Sequence, residues 1–168
     1  MTPAKPLLVR IKKGTDGRTT LSCVRPDGTT TWQRQEGGQA AFFPRHDLTH
    51  VAVESILGFR KGFYGLVADG WDLSDFGNPW PRGRLPIEAN LSERAVAFFD
   101  RERGSGVIGD VEELNQHLRE YCTENGLDRA NAYTEDDLVR VRQKRGELFS
   151  KWEAVEPGET FEVEFPLG

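Results

Sequence analysis

The stretch FFPRHDLTHVAVE, residues 42–54, decides how the rest of the chain is interpreted. His46 and His50 are four residues apart, and Glu54 follows at the same spacing. At about 100° per residue, a helix would place the three side chains within an arc of roughly 80°. The two imidazoles would lie about 6 Å apart along the axis, within reach of one metal ion. The stretch therefore predicts a helix with a metal-binding face.

The ends of this helix follow from its proline and glycine. We predict a start near Pro44, because proline is tolerated in the first turn of a helix. We predict an end near Gly58, because glycine suits the position just after a helix. A short helix with small residues on one side is expected at about residues 62–70.

Before the central helix, three short runs rich in Thr, Val and Trp predict antiparallel strands at residues 7–13, 19–25 and 29–35. Pro26-Asp27-Gly28 is a hairpin signal, because proline sets φ for a turn and glycine accepts a positive φ. At the other end, residues 160–165 (TFEVEF) alternate between apolar and polar. This alternation predicts a half-buried strand that returns to the N-terminal sheet.

The second half of the chain is predicted to be helical, because its apolar residues recur at spacings of three and four. Asp110 and Thr134 are N-terminal cap signals for two of these helices. The predicted helices span residues 86–102, 110–124 and about 134–152. The fold class is α+β: a small antiparallel sheet of three N-terminal strands and the C-terminal strand, packed against four to five helices, with residues 1–168 as a single domain.

Between the short helix and the next one, residues 71–86 (WDLSDFGNPWPRGRLP) predict a long irregular loop. Loops of this length are uncommon unless they cover a site or bind something. We expect residues 70–85 to form a wall or lid over the central helix. Trp71 and Trp80 are expected to be largely buried, because indole rings are large apolar groups.

Composition limits the classes of function. The chain has 168 residues, of which 37% are hydrophobic and 29% charged, and its net charge is −5. A negative balance argues against a general nucleic-acid binder, which needs a basic surface for phosphates. A basic cluster does occur on the last predicted helix, but acidic residues are interleaved with it, so we interpret it as a solvated face. Its members are Arg140, Arg142, Lys144 and Arg145.

Two further expectations concern the compartment. No apolar run approaches the roughly 18 residues of a membrane span, and the N-terminus lacks the apolar core of a signal peptide, so a cytoplasmic protein is expected. Cys23 and Cys122 lack metal-ligand or redox spacing, and we expect both to be reduced and buried.

The chemistry of the central stretch favours a divalent metal ion, with zinc as first choice. Imidazole is the commonest ligand of such ions, and a carboxylate completes a two-His-one-carboxylate set. The predicted ligands are His46, His50 and Glu54, with Glu54 either the third ligand or the partner that orients a histidine. Asp47 and Glu54 are the candidate catalytic carboxylates of a metal-dependent hydrolase acting on a small molecule or peptide. Asp47 would be a polar orienter or base, although HExxH proteases have the longer Glu after the first histidine.

Two alternatives stay open from the sequence. Glu88 and Glu93, on the next predicted helix, could each meet the histidines as a further ligand, although exposed glutamates are the norm. Alternatively, the His and Glu side chains form a structural cluster in a non-enzymatic binding or interaction protein. The third histidine, His117, lies in a strongly charged helix and is expected at the surface.

Residues 30–100 resemble a group of uncharacterised bacterial proteins that share an HDLxHxxVE core followed by a segment of glycines and aromatics. That resemblance implies no established activity. The HDxxH pattern at His46 to His50 is also similar to the metal motif of the ubiquinone-biosynthesis accessory proteins, in which a further Glu follows the second His. At the corresponding distance this chain has Lys-Gly-Phe-Tyr at residues 61–64, so the resemblance implies a metal site whose last ligand comes from elsewhere.

Overall fold

The described residues of the chain form a four-stranded antiparallel sheet and five helices, the α+β class that the sequence predicts. The computed structural model describes residues 2–102, 106–128 and 132–168. Its elements are β1 (Leu7–Lys13), β2 (Thr19–Val24), β3 (Thr30–Gln35), α1 (Gly38–Leu57), α2 (Phe63–Ala68), a 3-10 turn (Leu73–Phe76), α3 (Ile87–Asp100), α4 (Val111–Glu124), α5 (Glu135–Glu153) and β4 (Thr160–Phe165).

The sheet has the strand order β3-β2-β1-β4, so the C-terminal strand returns to pair with β1, as predicted. Ile11 of β1 lies opposite Leu21 of β2 on one side and Phe161 of β4 on the other. All three side chains are buried, because alternate residues of a strand point to the same face. This face joins the apolar residues of the helices in one hydrophobic core.

Helix α1 crosses the core and begins earlier than predicted. It starts at Gly38 rather than near Pro44, which lies inside the helix. Ala40 and Ala41 favour the helix upstream of the proline, and the fixed φ of proline is itself compatible with a helix, although one backbone donor is lost. The predicted end is confirmed: Gly58 caps the helix with a φ of 77°. His46 and His50 therefore lie in the helix interior, where their side-chain directions are fixed by regular geometry.

The expectation that both tryptophans of the long loop are buried is wrong for Trp80, whose side chain is 40% exposed. Trp71 is half-buried and lies against Phe76, with ring centroids 5.1 Å apart. The loop is anchored by other residues. Leu73 is buried and its backbone N–H donates to Thr31 Oγ1 at 2.9 Å, while Phe76 packs against Phe63.

The basic cluster of α5 is not a uniformly solvated face. Arg140 is exposed as predicted, but Arg145 is buried because its part of α5 packs against α1. Its Nε donates to Thr49 Oγ1 at 3.0 Å, which supplies a partner inside the interface. Arg142 makes two hydrogen bonds to the carboxylate of Glu102, at 2.7 and 3.0 Å. Buried guanidinium groups are found with such partners because an unpaired buried charge is costly.

Cys23 and Cys122 are both buried and both free, as predicted. Burial raises the pKa of the Cys23 thiol to about 12, so it behaves as a small hydrophobic group. Within the described residues, no helix combines the length and the hydrophobicity that a membrane crossing requires.

Candidate metal centre

The candidate site lies where α1 packs against α3. Three pairs of side chains meet across this interface: His46 with Asp100, His50 with Glu93, and Glu54 with Ser92. Each step forward along α1 corresponds to a step back along α3, so the two helices run antiparallel. The face that carries the histidines on α1 therefore meets carboxylates and a hydroxyl on α3.

Glu54 is the most enclosed member of this group, with 1% of its surface exposed. Its Oε2 accepts hydrogen bonds from Ser92 Oγ at 2.6 Å, from the Phe63 backbone N–H at 2.9 Å and from His50 Nδ1 at 2.8 Å. Its Oε1 accepts a fourth from the Tyr64 backbone N–H at 2.9 Å. An ionised carboxylate can only accept, so His50 carries its hydrogen on Nδ1. This leaves Nε2 of His50 as the nitrogen that faces away from Glu54.

A glycine makes room for this carboxylate. A Cβ atom built on Gly62 would lie 2.7 Å from Glu54 Cδ, closer than real Cβ contacts. Gly62 directly precedes Phe63 and Tyr64, whose backbone N–H groups donate to Glu54. The Gly-Phe-Tyr segment at the start of α2 therefore packs against the Glu54 carboxylate and binds it. The segment of glycines and aromatics in the sequence thus has a physical role in positioning Glu54.

His46 is held in a similar way at the other end of the interface. Its Nδ1 lies 2.7 Å from Asp100 Oδ2, so this ring also donates from Nδ1 and keeps Nε2 for another partner. Phe42, one turn earlier on α1, stacks on the ring with centroids 5.2 Å apart. The side chains of His46 and Asp100 remain 19% and 15% exposed, so this end is open to solvent.

Glu93 completes a group of three possible ligands. Its Oε1 lies 3.1 Å from His50 Nε2, and one ligand atom from each of His46, His50 and Glu93 falls within 4.8 Å of the others. Glu93 is one of the two further ligands considered from the sequence. The other, Glu88, is half-buried and accepts a hydrogen bond from the Lys61 backbone N–H, away from the histidines.

Glu54, predicted as either a third ligand or the partner of a histidine, is hydrogen-bonded to Nδ1 of His50, and the group of three possible ligands among the described residues contains Glu93 rather than Glu54. Sequence reasoning did not identify Asp100. A signal was present, because Glu93 and Asp100 are seven residues apart and therefore lie on one face of α3.

Asp47, the other predicted catalytic carboxylate, is buried beside the histidines. Its Oδ2 accepts a hydrogen bond from Gln35 Nε2 at 2.9 Å, and the Gln35 amide oxygen in turn accepts one from Thr19 Oγ1 at 2.7 Å. Burial raises the pKa of Asp47 to about 6, against the opposing effects of the Gln35 hydrogen bond and the two histidines. The sheet therefore fixes the orientation of Asp47 through Gln35.

A cavity of about 500 Å³ opens against the histidines. This volume is in the range of small-molecule sites. The expected wall from the long loop is present in its first half only, because Leu73, Ser74 and residues 76–78 line the cavity and Trp80 does not. The sheet and α1 supply much of the remaining wall, with Gln33, Gln35, Phe43 and Asp47 among the lining residues, and Phe63 of α2 and Glu93 of α3 complete it.

The charges at His50 bear directly on metal binding. Burial lowers the pKa of His50, but hydrogen bonds to Glu54 and Glu93 and the charges of the same carboxylates outweigh it and hold the pKa well above its ordinary value. Burial alone would raise the pKa of Glu93; the hydrogen bond and charge of His50 reverse this and lower it. Without a metal ion, His50 is therefore a protonated ring between two carboxylates. A metal ion would take the place of the proton on Nε2.

Comparisons of the chain with family models, with curated proteins and with solved structures found no match. The functional interpretation therefore depends on the geometry of the described residues.

Proposed function

We propose that this chain is a metal-binding protein in which His46, His50 and Glu93 hold one divalent ion, and that it is a metal-dependent hydrolase. Two imidazole nitrogens and one carboxylate oxygen suit zinc, our first choice, and they also suit ferrous iron. The observation that carries the proposal is the anchoring of both histidines by carboxylates at Nδ1, with the ligand atoms of the group within 4.8 Å of one another.

Anchoring of this kind is what metal-binding histidines need. A histidine ligand usually donates its other ring N–H to a carboxylate or carbonyl, which fixes the tautomer and makes the ligating nitrogen more basic. Asp100 serves His46 in this way, and Glu54 serves His50. Two surface histidines at a chance spacing would not each have a dedicated carboxylate.

The arrangement also supports hydrolytic chemistry. Three protein ligands leave a fourth position for water, and zinc lowers the pKa of a bound water to about 7. The cavity gives a substrate access to that position, and Asp47 lines the same cavity. Asp47, held by Gln35, is placed to orient the water or to accept its proton.

A second candidate function is favoured by one specific observation. Both ring nitrogens of His50 lie within hydrogen-bond distance of carboxylates, at 2.8 and 3.1 Å. A protonated His50 between the buried Glu54 and the half-exposed Glu93 is a complete ion cluster that links α1 to α3 without a metal. In that case the cluster is structural and the chain is a binding or interaction protein.

Metal uptake separates the two candidates. The protein should be purified without a His tag, dialysed against zinc, manganese or ferrous iron in turn, and analysed for its elements. We expect one zinc per chain. His46→Ala and His50→Ala should each abolish stoichiometric zinc, and the double variant should be no worse, because either change alone destroys the site.

Two matched variants control this experiment. His117→Ala removes the third histidine, which is exposed, and should leave zinc uptake unchanged. Glu93→Gln should weaken zinc uptake whereas Glu88→Gln, on the same helix, should not. The metal proposal is overturned if the wild type retains none of the three ions and melts at the same temperature before and after dialysis.

A further inference from the structure

The charges of the residues that line the cavity next to the proposed metal ligands indicate which class of ligand the cavity binds. Among the described residues that line it, none is a lysine or an arginine. Asp47 and Glu93 contribute carboxylates, and glutamine and asparagine contribute amides. A phosphate, sulfate or carboxylate ligand would therefore find no arginine or lysine to pair with.

The charge balance of the site points the same way. Three carboxylates line the cavity or hold His50: Asp47, Glu54 and Glu93. One divalent ion would neutralise two of these charges, a proton on His50 neutralises one of them when no metal is bound, and no lysine or arginine lines the cavity in the described residues. The site stays negative with or without the metal, so it attracts a cation more strongly than an anion.

Asp47 offers a specific hydrogen-bond acceptor in addition to the overall negative charge of the site. It is 5% exposed, and Gln35 occupies its Oδ2 at 2.9 Å. In the described part of the chain, no hydrogen bond reaches Oδ1 of Asp47, although Asp47 lines the cavity. A buried carboxylate oxygen gains most from a charged donor, because such hydrogen bonds are stronger than neutral ones.

Aromatic rings supply the apolar part of the cavity. Phe43, Phe63 and Phe76 line it from three different elements, and the rings of Phe63 and Phe76 lie with centroids 4.6 Å apart. The face of an aromatic ring attracts cations such as ammonium and guanidinium groups. The same rings also bury the flat or apolar body of a ligand.

We propose that this cavity binds a small organic cation, an amidinium, guanidinium or ammonium group on an apolar body, with the cation donating to Asp47. The body of the ligand lies against Phe63 and Phe76, next to the position that the metal would occupy. This inference deepens the proposed function by giving the class of its substrate. It rests on that function only for the identification of the ligand as a substrate.

The test uses three probes that share one ring and differ in charge: benzamidine, benzamide and benzoate. Isothermal titration calorimetry on the metal-free protein is the deciding measurement, because benzoate could otherwise coordinate zinc directly. We expect benzamidine to bind about tenfold more tightly than benzamide, as a charge-assisted hydrogen bond replaces a neutral one. Benzoate should not bind.

Two variants assign the effect to the cavity. Asp47→Asn should weaken benzamidine by about tenfold, whereas Asp128→Asn, which removes an exposed carboxylate outside the cavity, should not change it. Gln33→Arg changes only an exposed residue of the cavity wall, so it is the test to use if Asp47→Asn does not fold. The added positive charge should weaken benzamidine and allow benzoate to bind.

The outcomes separate this inference from the metal proposal. If zinc does not bind but benzamidine binds through Asp47, the cation site stands and the metal proposal falls. If zinc binds and the metal-free protein prefers benzoate, or binds none of the three probes at millimolar concentration, the cation inference is overturned. It is also overturned if the folded Asp47→Asn or Gln33→Arg protein binds benzamidine as tightly as the wild type.

Discussion

The two ends of the α1–α3 interface hold a histidine each but differ in enclosure. At the His50 end, the side chains of His50 and Glu54 are 2% and 0% exposed, and four hydrogen bonds saturate Glu54. At the His46 end, the histidine and Asp100 are 19% and 15% exposed, and a hydrogen bond joins their side chains. One end is part of the core, and the other is reached by solvent.

Because of this difference, the two ends should contribute differently to the stability of the protein and to the access of solvent to the site. A buried ionic group is costly unless all its partners are present, so the His50 end should dominate the stability of the metal-free protein. A partly exposed pair contributes little to stability, because water replaces its hydrogen bond. The proposed metal would bridge the two ends, one ligand from each and the third from Glu93, which is itself half-exposed.

The largest effect should follow removal of Glu54. Glu54→Ala leaves His50, Ser92 and the two backbone donors of α2 without their common acceptor, so we expect a loss of about 3–5 kcal/mol of unfolding free energy. Glu88→Ala removes a half-buried glutamate of α3 that accepts a hydrogen bond from the Lys61 backbone, and it should cost about 1 kcal/mol or less. Chemical denaturation of both variants measures the difference. Equal losses would show that Glu54 is not the centre of the interface.

The next largest effect is a difference between the two histidines in their contribution to the unfolding free energy of the metal-free protein. His50→Ala leaves two carboxylates without their partner and should cost about 2–3 kcal/mol of unfolding free energy. His46→Ala should cost about 1 kcal/mol or less, because its site is open to water. Denaturation in the presence of a chelator gives both values. The reverse order would contradict the division into a buried end and an open end.

The smallest effect is a dependence of stability on pH. The folded protein raises the pKa of His50 above its ordinary value of about 6.5. The stabilisation is therefore complete below pH ~6.5 and is lost as the pH rises through the folded pKa. We expect the melting temperature of the metal-free wild type, relative to His50→Gln, to fall as the pH rises from about 6 to 9.

Zinc should reverse this dependence, because it binds the deprotonated ring and its affinity increases with pH. The zinc-saturated wild type should therefore gain stability over the metal-free protein as the pH rises. A wild type whose pH dependence matches that of His50→Gln, with and without zinc, would contradict the assignment of the proton and the metal to His50.

Local patterns in the sequence were sufficient to predict the fold. The buried face of β4 follows from the alternation in residues 160–165, and Gly58 ends α1 because its backbone is left-handed. The start of α1 was predicted wrongly because the proline rule applies to first turns, while the alanines before Pro44 extend the helix. Burial of Trp80 was predicted wrongly because size alone does not decide which loop residues anchor the loop.

The candidate site could be predicted only in part, for a physical reason. Spacing along one helix places His46, His50 and Glu54 on one face, and the structure has them there. Spacing does not tell which ring nitrogen a carboxylate meets, nor which residues of α3 come opposite. Glu93 and Asp100 reach the histidines through the packing of α1 on α3, a contact between segments far apart in sequence.

The most direct test of the metal centre is the X-ray absorption spectrum of the zinc-loaded protein at the zinc edge. We predict two imidazole nitrogens at about 2.0 Å and carboxylate or water oxygens at about 2.0–2.2 Å, with no sulfur. Glu93→Gln should keep the two imidazole signals, and His117→Ala should leave the spectrum unchanged. A zinc shell made of oxygen alone, or one whose imidazole signals persist in His46→Ala and His50→Ala, would contradict the proposed centre.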